Sequence, residues 1–470
     1  MRVADVITAY DIRGRVPGPL TPEVARALGS AFAQVVVMPE GHREMVLGKD
    51  MRESSSELAG AVLEGARSQG VDVTDLGLCS TDALYYASGS RGLPGAMVTA
   101  SHNPAGYNGI KLCRAGARPV GQESGLGEIR DLAQWLLDRG ALHALAAGPP
   151  GAVRHADVLP DYAGHLHSLV DLDGIRPLRL VVDAGNAMAG LTVPAVLGIE
   201  GLPLAVEPLY FELDGTFPHH DANPLDPANL RDLQDAVVRS GADLGLAFDG
   251  DADRVVLVDE RGTPVPAGAV AALIATREIA RDVSGGRSPG DITVVHGSVV
   301  SRAVEEAVAG LGARLVRSPV GHSFVKQRMA AHGAVFGAEH SAHYYFRDFW
   351  YADSGLLAAL HVLGALGRHE GTLSSLLSPL DRYAASGEIN SAVHDVAAAT
   401  GRVRDWALTH GARELEGDGL LVSSDDDPFW WVSLRASNTE SLLRLNVEAQ
   451  DGETMVRVRD AVLALVRQEA

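Results

Sequence analysis

Three stretches of this chain repeat one pattern: a short buried strand, a turn of small residues, then a helix. The first is Met45-Val46-Leu47, followed by Gly48-Lys49-Asp50-Met51-Arg52. In the helix that comes next, Ala59, Val62, Leu63 and Ala66 recur at i, i+3, i+4 and i+7, which places them on one face. One of Ser54–Ser56 is expected to cap that helix, Gly70 to end it, and Val71-Asp72-Val73 to open the next strand. The second copy is Leu180-Val181-Val182 before Asp183-Ala184-Gly185-Asn186, and the third is Ile292-Thr293-Val294-Val295 before His296-Gly297-Ser298. Uniformly apolar strands that feed helices are buried on both faces, so three copies predict three related α/β layers with largely parallel sheets.

At 470 residues the chain is too long for one core. Gly/Pro-rich breaks at 147–151, 260–264 and 371–379 divide it into expected domains 1–150, 151–261, 262–375 and 376–470. The last has a different texture. Trp431-Val432-Ser433-Leu434 and Leu443-Arg444-Leu445-Asn446-Val447 read as strands and Glu453 to Val466 as a helix, giving a small α+β domain.

Lys and Arg number 40 against 60 Asp and Glu, a net charge of −20, which opposes nonspecific nucleic-acid binding. The start, Met1-Arg2-Val3-Ala4-Asp5, has no apolar signal core, and no apolar run reaches the ~18 residues of a membrane span. Cys79 and Cys113 make no disulfide framework and read as small buried hydrophobes. The expected setting is the reducing cytoplasm, with neither nucleic acid nor membrane as partner.

Four loops carry chemistry. Thr99-Ala100-Ser101-His102-Asn103-Pro104 ends an apolar run and leads to Tyr107-Asn108-Gly109-Ile110-Lys111. Taken alone, Ser101 reads as a helix cap. Beside the other loops it reads as a nucleophile for phosphoryl transfer, with His102 orienting the group and Lys111 and Arg254 offsetting its charge. Asp249-Gly250-Asp251-Ala252-Asp253-Arg254 follows the buried strand Leu244–Phe248, and three alternating carboxylates call for a hard divalent cation such as Mg²⁺. An EF-hand is excluded because the chain runs on into the apolar strand Val255-Val256-Leu257-Val258. Glu339, Ser341 and His343 alternate, so an extended segment would turn them to one side to meet hydroxyl groups, with His340 on the other face. Arg435-Ala436-Ser437-Asn438-Thr439 is a dense donor set for a phosphate. Tyr10-Asp11-Ile12-Arg13-Gly14 adds a hydroxyl and a guanidinium, and His322 in Gly321-His322-Ser323 is a candidate proton shuttle.

These motifs, in this order, resemble the α-D-phosphohexomutases, and within them the bacterial phosphomannomutase/phosphoglucomutase group. The resemblance spans essentially the whole chain. It implies a heart-shaped, four-domain enzyme of three similar α/β domains with mixed sheets and a C-terminal α+β domain. It implies that Ser101 is a phosphoserine and that Asp249, Asp251, Asp253 and the seryl oxygen hold Mg²⁺. Glu339, Ser341 and His343 would read sugar hydroxyls, and Arg435, Ser437, Asn438 and Thr439 the distal phosphate. Tyr10, Arg13, Lys111, Arg254 and His322 would line the reacting end, Lys111 and His322 as proton-transfer candidates. The implied reaction passes through a hexose 1,6-bisphosphate, the implied partners are hexose phosphates, and the implied assembly is a monomer or homodimer. Arg13, Lys111, Arg254, Arg435 and the metal would supply the local positive charge that an acidic protein otherwise lacks. Three departures stand out: Glu440-Ser441 where many relatives have a proline, Gly-Ala-Glu where Gly-Gly-Glu is commoner, and no lysine between His296 and Arg302. The Glu-His-Ser-Ala-His form favours mannose over glucose, with a phosphoglucomutase or a dual phosphomannomutase/phosphoglucomutase as the nearest alternative. Against this stand a silent scaffold, although every expected catalytic position is filled, and a metal phosphatase, which would leave Ser101 and residues 435–439 without a role.

Overall fold

The computed structural model describes residues 2–7, 11–140, 149–436 and 442–468. The chain packs as two compact units, one of residues Met1–Val265 with Ser341–Leu376, the other of Pro266–His340 with Leu377–Ala470.

The first unit holds two mixed sheets. In the larger, Glu44–Lys49 runs parallel to both Asp72–Leu78 and Gly95–Val98, while Tyr107–Arg114 is antiparallel to Gly95–Val98 and to Ile12–Arg15. Val153–His155 extends the far edge in parallel. In the smaller, Leu178–Asp183 lies parallel to Leu204–Leu209 and Leu244–Phe248, and Val255–Asp259 closes the edge antiparallel. The repeated strand-turn-helix grammar therefore gives the parallel centres, and the antiparallel strands come from the chemistry-bearing loops, which turn straight back along the sheet. The helices Pro22–Phe32 and Ser55–Ser68 cover the larger sheet through Val24, Leu28, Phe32, Leu58 and Val62, all essentially inaccessible.

The expected serine cap on Ser55–Ser68 does not form. Ser54 Oγ instead accepts from Asn108 Nδ2 at 2.8 Å, and Ser55 Oγ donates to buried Asp50. One hydroxyl is spent on the strand Tyr107–Arg114 and the other on the turn at Asp50, rather than on the helix's own amides.

Three helices of the first unit meet at one carboxylate. Asp82, in the first turn of Thr81–Arg91, accepts from Tyr162 Oη at 2.6 Å in Leu159–Leu169 and from Ser354 Oγ at 2.6 Å, the cap of Gly355–Leu366. Ser80 Oγ donates to it as well. Burial pushes the Asp82 carboxyl from 3.8 up to about 6, although the hydroxyls pull the other way. The folded value lies above the unfolded one, so this group's contribution is full below the unfolded value and is lost as pH rises through about 6. The gap is worth roughly 3 kcal/mol. Wild type is expected to lose Tm relative to Asp82→Asn as pH rises from about 4.5 to about 7.5. A Tm difference that does not change with pH would refute this.

In the second unit, Thr293–Gly297 lies between parallel neighbours Arg314–Ser318 and Phe336–Ala338. The C-terminal part is an antiparallel sheet in which Trp430–Ala436 pairs with Leu420–Ser424 and Leu442–Ala449, backed by helices Val396–Thr409 and Gly452–Val466. This is the α+β texture expected of residues 376–470. Buried Glu448 joins the two parts of this unit. Its Oε1 accepts from the amide of Arg302, at the start of Arg302–Gly310, and from Trp431 Nε1, both at 2.9 Å. A carboxylate there also meets the positive end of the helix dipole. Among the described residues, no helix is long and apolar enough to cross a membrane.

Candidate active site

Ser101 follows the buried strand Gly95–Val98 and is itself 3% exposed, with φ at 51°. A non-glycine residue in that region is uncommon and needs its surroundings to hold it. Arg52 supplies the hold. Its Nη2 donates to the carbonyls of Ser101 and Asn103 at 2.7 and 2.6 Å, its Nη1 to those of Pro104 and Tyr107 at 2.8 and 3.0 Å, and its Nε to Asp50 Oδ2 at 3.2 Å. All five guanidinium donors are therefore used. The Phe217 ring lies 5.0 Å from the guanidinium carbon.

The loop presents Ser101 Oγ to the acidic loop. Oγ donates to Asp249 Oδ2 at 2.6 Å, lies 3.3 Å from His102 Nδ1, and accepts from Arg254 Nη2 at 3.4 Å. Arg254 also donates to Asp249 Oδ2 from Nε at 3.0 Å and Nη2 at 2.8 Å. Burial, with the Arg254 and Arg13 charges, holds the His102 imidazole well below its ordinary value. Arg13 Nε donates to Asp11 Oδ2 at 2.8 Å, and its Nη1 reaches Ala100 O and the Asn103 side chain.

The acidic loop is tightly wound, with Ala252 at φ 60°. A Cβ on Gly250 would lie 2.3 Å from the Ser101 carbonyl oxygen, so the two loops can approach this closely only with glycine there. Gly250→Ala is expected to cost about 10²-fold in kcat, the scale of a one-ångström misplacement, with a smaller change in Tm. Unchanged kcat would show that the approach is dispensable.

Asp249, Asp251 and Asp253 are buried, and their ligand atoms lie within 4.8 Å of one another. Lys111 Nζ donates to Asp251 Oδ2 and Asp253 Oδ2, both at 2.6 Å. Burial would lower the lysine, but these two carboxylates raise it well above its ordinary range. Burial would raise Asp251, but the same ammonium holds it low. Asp253 goes the other way, pushed well up by burial and by the Asp251 charge. Among the described residues, Asp251 Oδ1 and Asp253 Oδ1 remain buried without a hydrogen-bond partner. Orphaned carboxylate oxygens of this kind are costly, and an oxygen-seeking divalent cation satisfies them. Thr81 Oγ1 fixes Asp251 with a 2.5 Å hydrogen bond to Oδ2, and Thr81 N donates to Asp251 O at 3.0 Å.

Residues 339–343 are not the extended segment expected. They form a turn with Ala342 at φ 62°, so alternation does not align their side chains. Ser341 and His343 belong to the first unit, where Ser341 Oγ lies 2.9 Å from His343 Nδ1 and His343 bridges Arg254 through the backbone. Glu339 belongs to the second, where its Oε1 accepts from the Gly321 amide at 2.8 Å. That amide immediately precedes helix His322–His332, so Glu339 and the His322 turn are brought together. Arg435 pairs with Glu388 at 2.9 Å, and its buried Nε has no hydrogen-bond partner among the described residues. Tyr10, Ser437, Asn438 and Thr439 lie outside the described residues.

Sequence reasoning missed Arg52 and Thr81. Each acts on a loop distant in sequence, and only Arg52's place directly after a strand, in a turn with Lys49 and Asp50, hinted at a role.

Successive segments match the domains of one family, described as phosphoglucomutase/phosphomannomutase: alpha/beta/alpha domain I over residues 5–134, domain II over 160–262, domain III over 268–383 and the C-terminal domain over 388–465. A phosphomannomutase of Salmonella typhimurium is 36% identical over 470 residues, covering 98% of each chain. A Xanthomonas campestris protein named phosphohexose mutases is 38% identical over 454 residues, covering 96% of each. The fold is similar to the solved structure of a phosphoglucomutase/phosphomannomutase family protein from Burkholderia thailandensis, with a TM-score of 0.86, 30% identity, and coverage of 100% of this chain and 99% of that one. The chain belongs to the phosphoglucomutase/phosphomannomutase family, whose members are phosphohexomutase enzymes.

Proposed function

We propose that this chain is a phosphomannomutase that interconverts mannose 6-phosphate and mannose 1-phosphate through phosphorylated Ser101 and a hexose 1,6-bisphosphate. The observation that carries the reading is the Ser101 hydroxyl held 2.6 Å from Asp249, beside two carboxylates with orphaned oxygens. Relatives named phosphomannomutase at 34–36% identity along nearly the whole chain support the choice of mannose.

Asp249, Asp251, Asp253 and the seryl oxygen would hold Mg²⁺, which when bound supplies charge neutralisation at the phosphoryl group. A substrate hydroxyl attacks phosphorus, the bond to Ser101 Oγ breaks, and a new phosphate ester forms on the sugar. The hydroxyl proton passes to a base, and His322 keeps that candidacy. Lys111 enters as a fixed positive charge, because two carboxylates at 2.6 Å keep its proton in place. Arg254 stays on the seryl oxygen and steadies the departing oxyanion. After the bisphosphate reorients, its other phosphoryl group returns to Ser101. Tyr10 and Arg13 are assigned to the reacting end, with His102 orienting the group. Glu339, Ser341 and His343 are assigned to sugar hydroxyls, and Arg435, Ser437, Asn438 and Thr439 to the distal phosphate. The boundaries 1–150, 151–261, 262–375 and 376–470 are retained as the four domains, and the four matched family segments support that division.

The test is a coupled assay with Mg²⁺ and a trace of hexose 1,6-bisphosphate, comparing kcat/KM for mannose 1-phosphate and glucose 1-phosphate. A clear mannose preference is expected. Equal values would make it a dual mutase, the second reading that the family description favours. Turnover of neither sugar would end the proposal. Chelation should abolish turnover and Mg²⁺ restore it, and activity that survives exhaustive chelation would remove the metal from the scheme.

A further inference from the structure

The C-terminal sheet has two unlike faces. Trp430, Val432 and Leu434 of one strand and Leu443, Leu445 and Val447 of its partner pack on the two helices behind them. The residues between them point the other way, and register sets them in three rungs: Arg435 opposite Arg444, Ser433 opposite Asn446, and Trp431 opposite Glu448. The first rung is cationic, since both guanidiniums share the carboxylate of Glu388 at 2.9 and 3.2 Å. The last is joined by the hydrogen bond from Trp431 Nε1 to Glu448. The middle rung is neutral. Ser433 is inaccessible and Asn446 is 3% exposed, yet among the described residues the Ser433 hydroxyl and both polar atoms of the Asn446 amide have no hydrogen-bond partner. Each such group costs stability unless something bonds to it.

Asn446 opens on a cavity of about 260 Å³, which Trp431, Glu448, Val300, Ser301 and Glu339 line as well. We propose that this cavity is a pyranose subsite, in which Asn446 hydrogen-bonds a ring hydroxyl of the bound hexose phosphate and the Trp431 ring supports the apolar face of the sugar. The inference rests on the mutase reading above and adds a specificity residue to it. The chemistry of the middle rung fits a hydroxyl better than an ion. An amide donates and accepts, as a hydroxyl does, and it carries no charge to attract a phosphate. Successive rungs on one face of a strand stand about 6.8 Å apart, two residues of rise. A phosphate held at Arg435 therefore puts the ring that carries it beside the neutral rung. Glu339, assigned to the sugar, shares the cavity wall. An aromatic wall with a few placed polar groups is the usual make-up of a site for a small ligand.

The test compares the full chain with Asn446→Leu, a substitution close in size that removes both polar atoms. Kd for mannose 1-phosphate, glucose 1-phosphate and their monodeoxy analogues is measured by calorimetry with Mg²⁺ and without bisphosphate. Wild type is expected to bind one deoxy analogue at least about tenfold more weakly than its parent sugar, and Asn446→Leu to bind that pair equally. Because leucine replaces orphaned polar atoms with apolar ones, Tm should hold or rise while affinity for the parent sugar falls. Discrimination that survives in Asn446→Leu, or a lowered Tm with affinity lost equally for every sugar, would overturn the subsite. The measurement scores hydroxyls on whichever epimer binds. A glucose preference in the mutase assay would therefore strike the mannose reading and leave the subsite standing.

Discussion

Ser101→Ala is expected to lower mutase turnover by roughly 10⁴-fold or more, because a route through a covalent intermediate has no substitute for its nucleophile. The fold should survive. Asp249, which loses the Oγ donor, keeps the Arg254 side chain at 2.8 and 3.0 Å and the Arg254 amide at 3.2 Å. The loop conformation is set by Arg52 acting on backbone carbonyls, none of which the substitution removes. The checks are kcat with mannose 1-phosphate, Tm, and transfer of phosphate to the Ser101 peptide from hexose 1,6-bisphosphate. Retained turnover, or phosphate on another residue, would refute the assignment of Ser101. Lost turnover with a collapsed Tm would show a structural role instead.

The second large effect is on stability. Arg52→Ala is expected to destabilise the protein by about 3–5 kcal/mol, the range for breaking a buried charge pair by removing one partner. It strands the Asp50 carboxylate, which burial already pushes up and the Arg52 charge pulls back down, and it removes the guanidinium from four carbonyl groups, of which Pro104 keeps the Tyr107 amide at 3.0 Å. Arg52→Lys should recover only part of the loss, since an ammonium offers three donors and no planar fork. Urea unfolding gives the measurement. Adding Asp50→Asn to the alanine variant should restore part of the stability by removing the uncompensated charge. A loss below about 1 kcal/mol for Arg52→Ala would mean that water takes over those carbonyls.

The sequence was most legible where chemistry is contiguous. Asp249 to Arg254 carries its spacing in one hexapeptide, and the apolar strand before it sets both burial and direction. Ser101 was readable for the same reason. The strand-turn-helix repeats were legible because buried parallel strands leave uninterrupted apolar runs. Other features depend on which strands become neighbours. Arg52 meets residues 101–107 because Glu44–Lys49 lies beside Gly95–Val98. Asp82 meets Ser354 across 272 positions. Ser54 and Ser55 have the right composition for a cap, but a buried asparagine and a buried aspartate compete for their hydroxyls and win. The turn at 339–343 departs from the expected strand because Ala342 takes a left-handed conformation that alternation cannot anticipate.

The way Arg52 grips the serine loop has a thermodynamic consequence for the catalytic cycle. The guanidinium holds carbonyl oxygens and never the seryl oxygen, so its bonds are indifferent to what that oxygen carries. On the proposed cycle, Ser101 alternates between a neutral hydroxyl and a dianionic ester, a change of about two charges at one buried atom. A loop clamped through its backbone is expected to keep one shape in both states. The change in charge then has to be met by the groups around that oxygen, Lys111 and Arg254 among them, rather than by movement of the loop backbone.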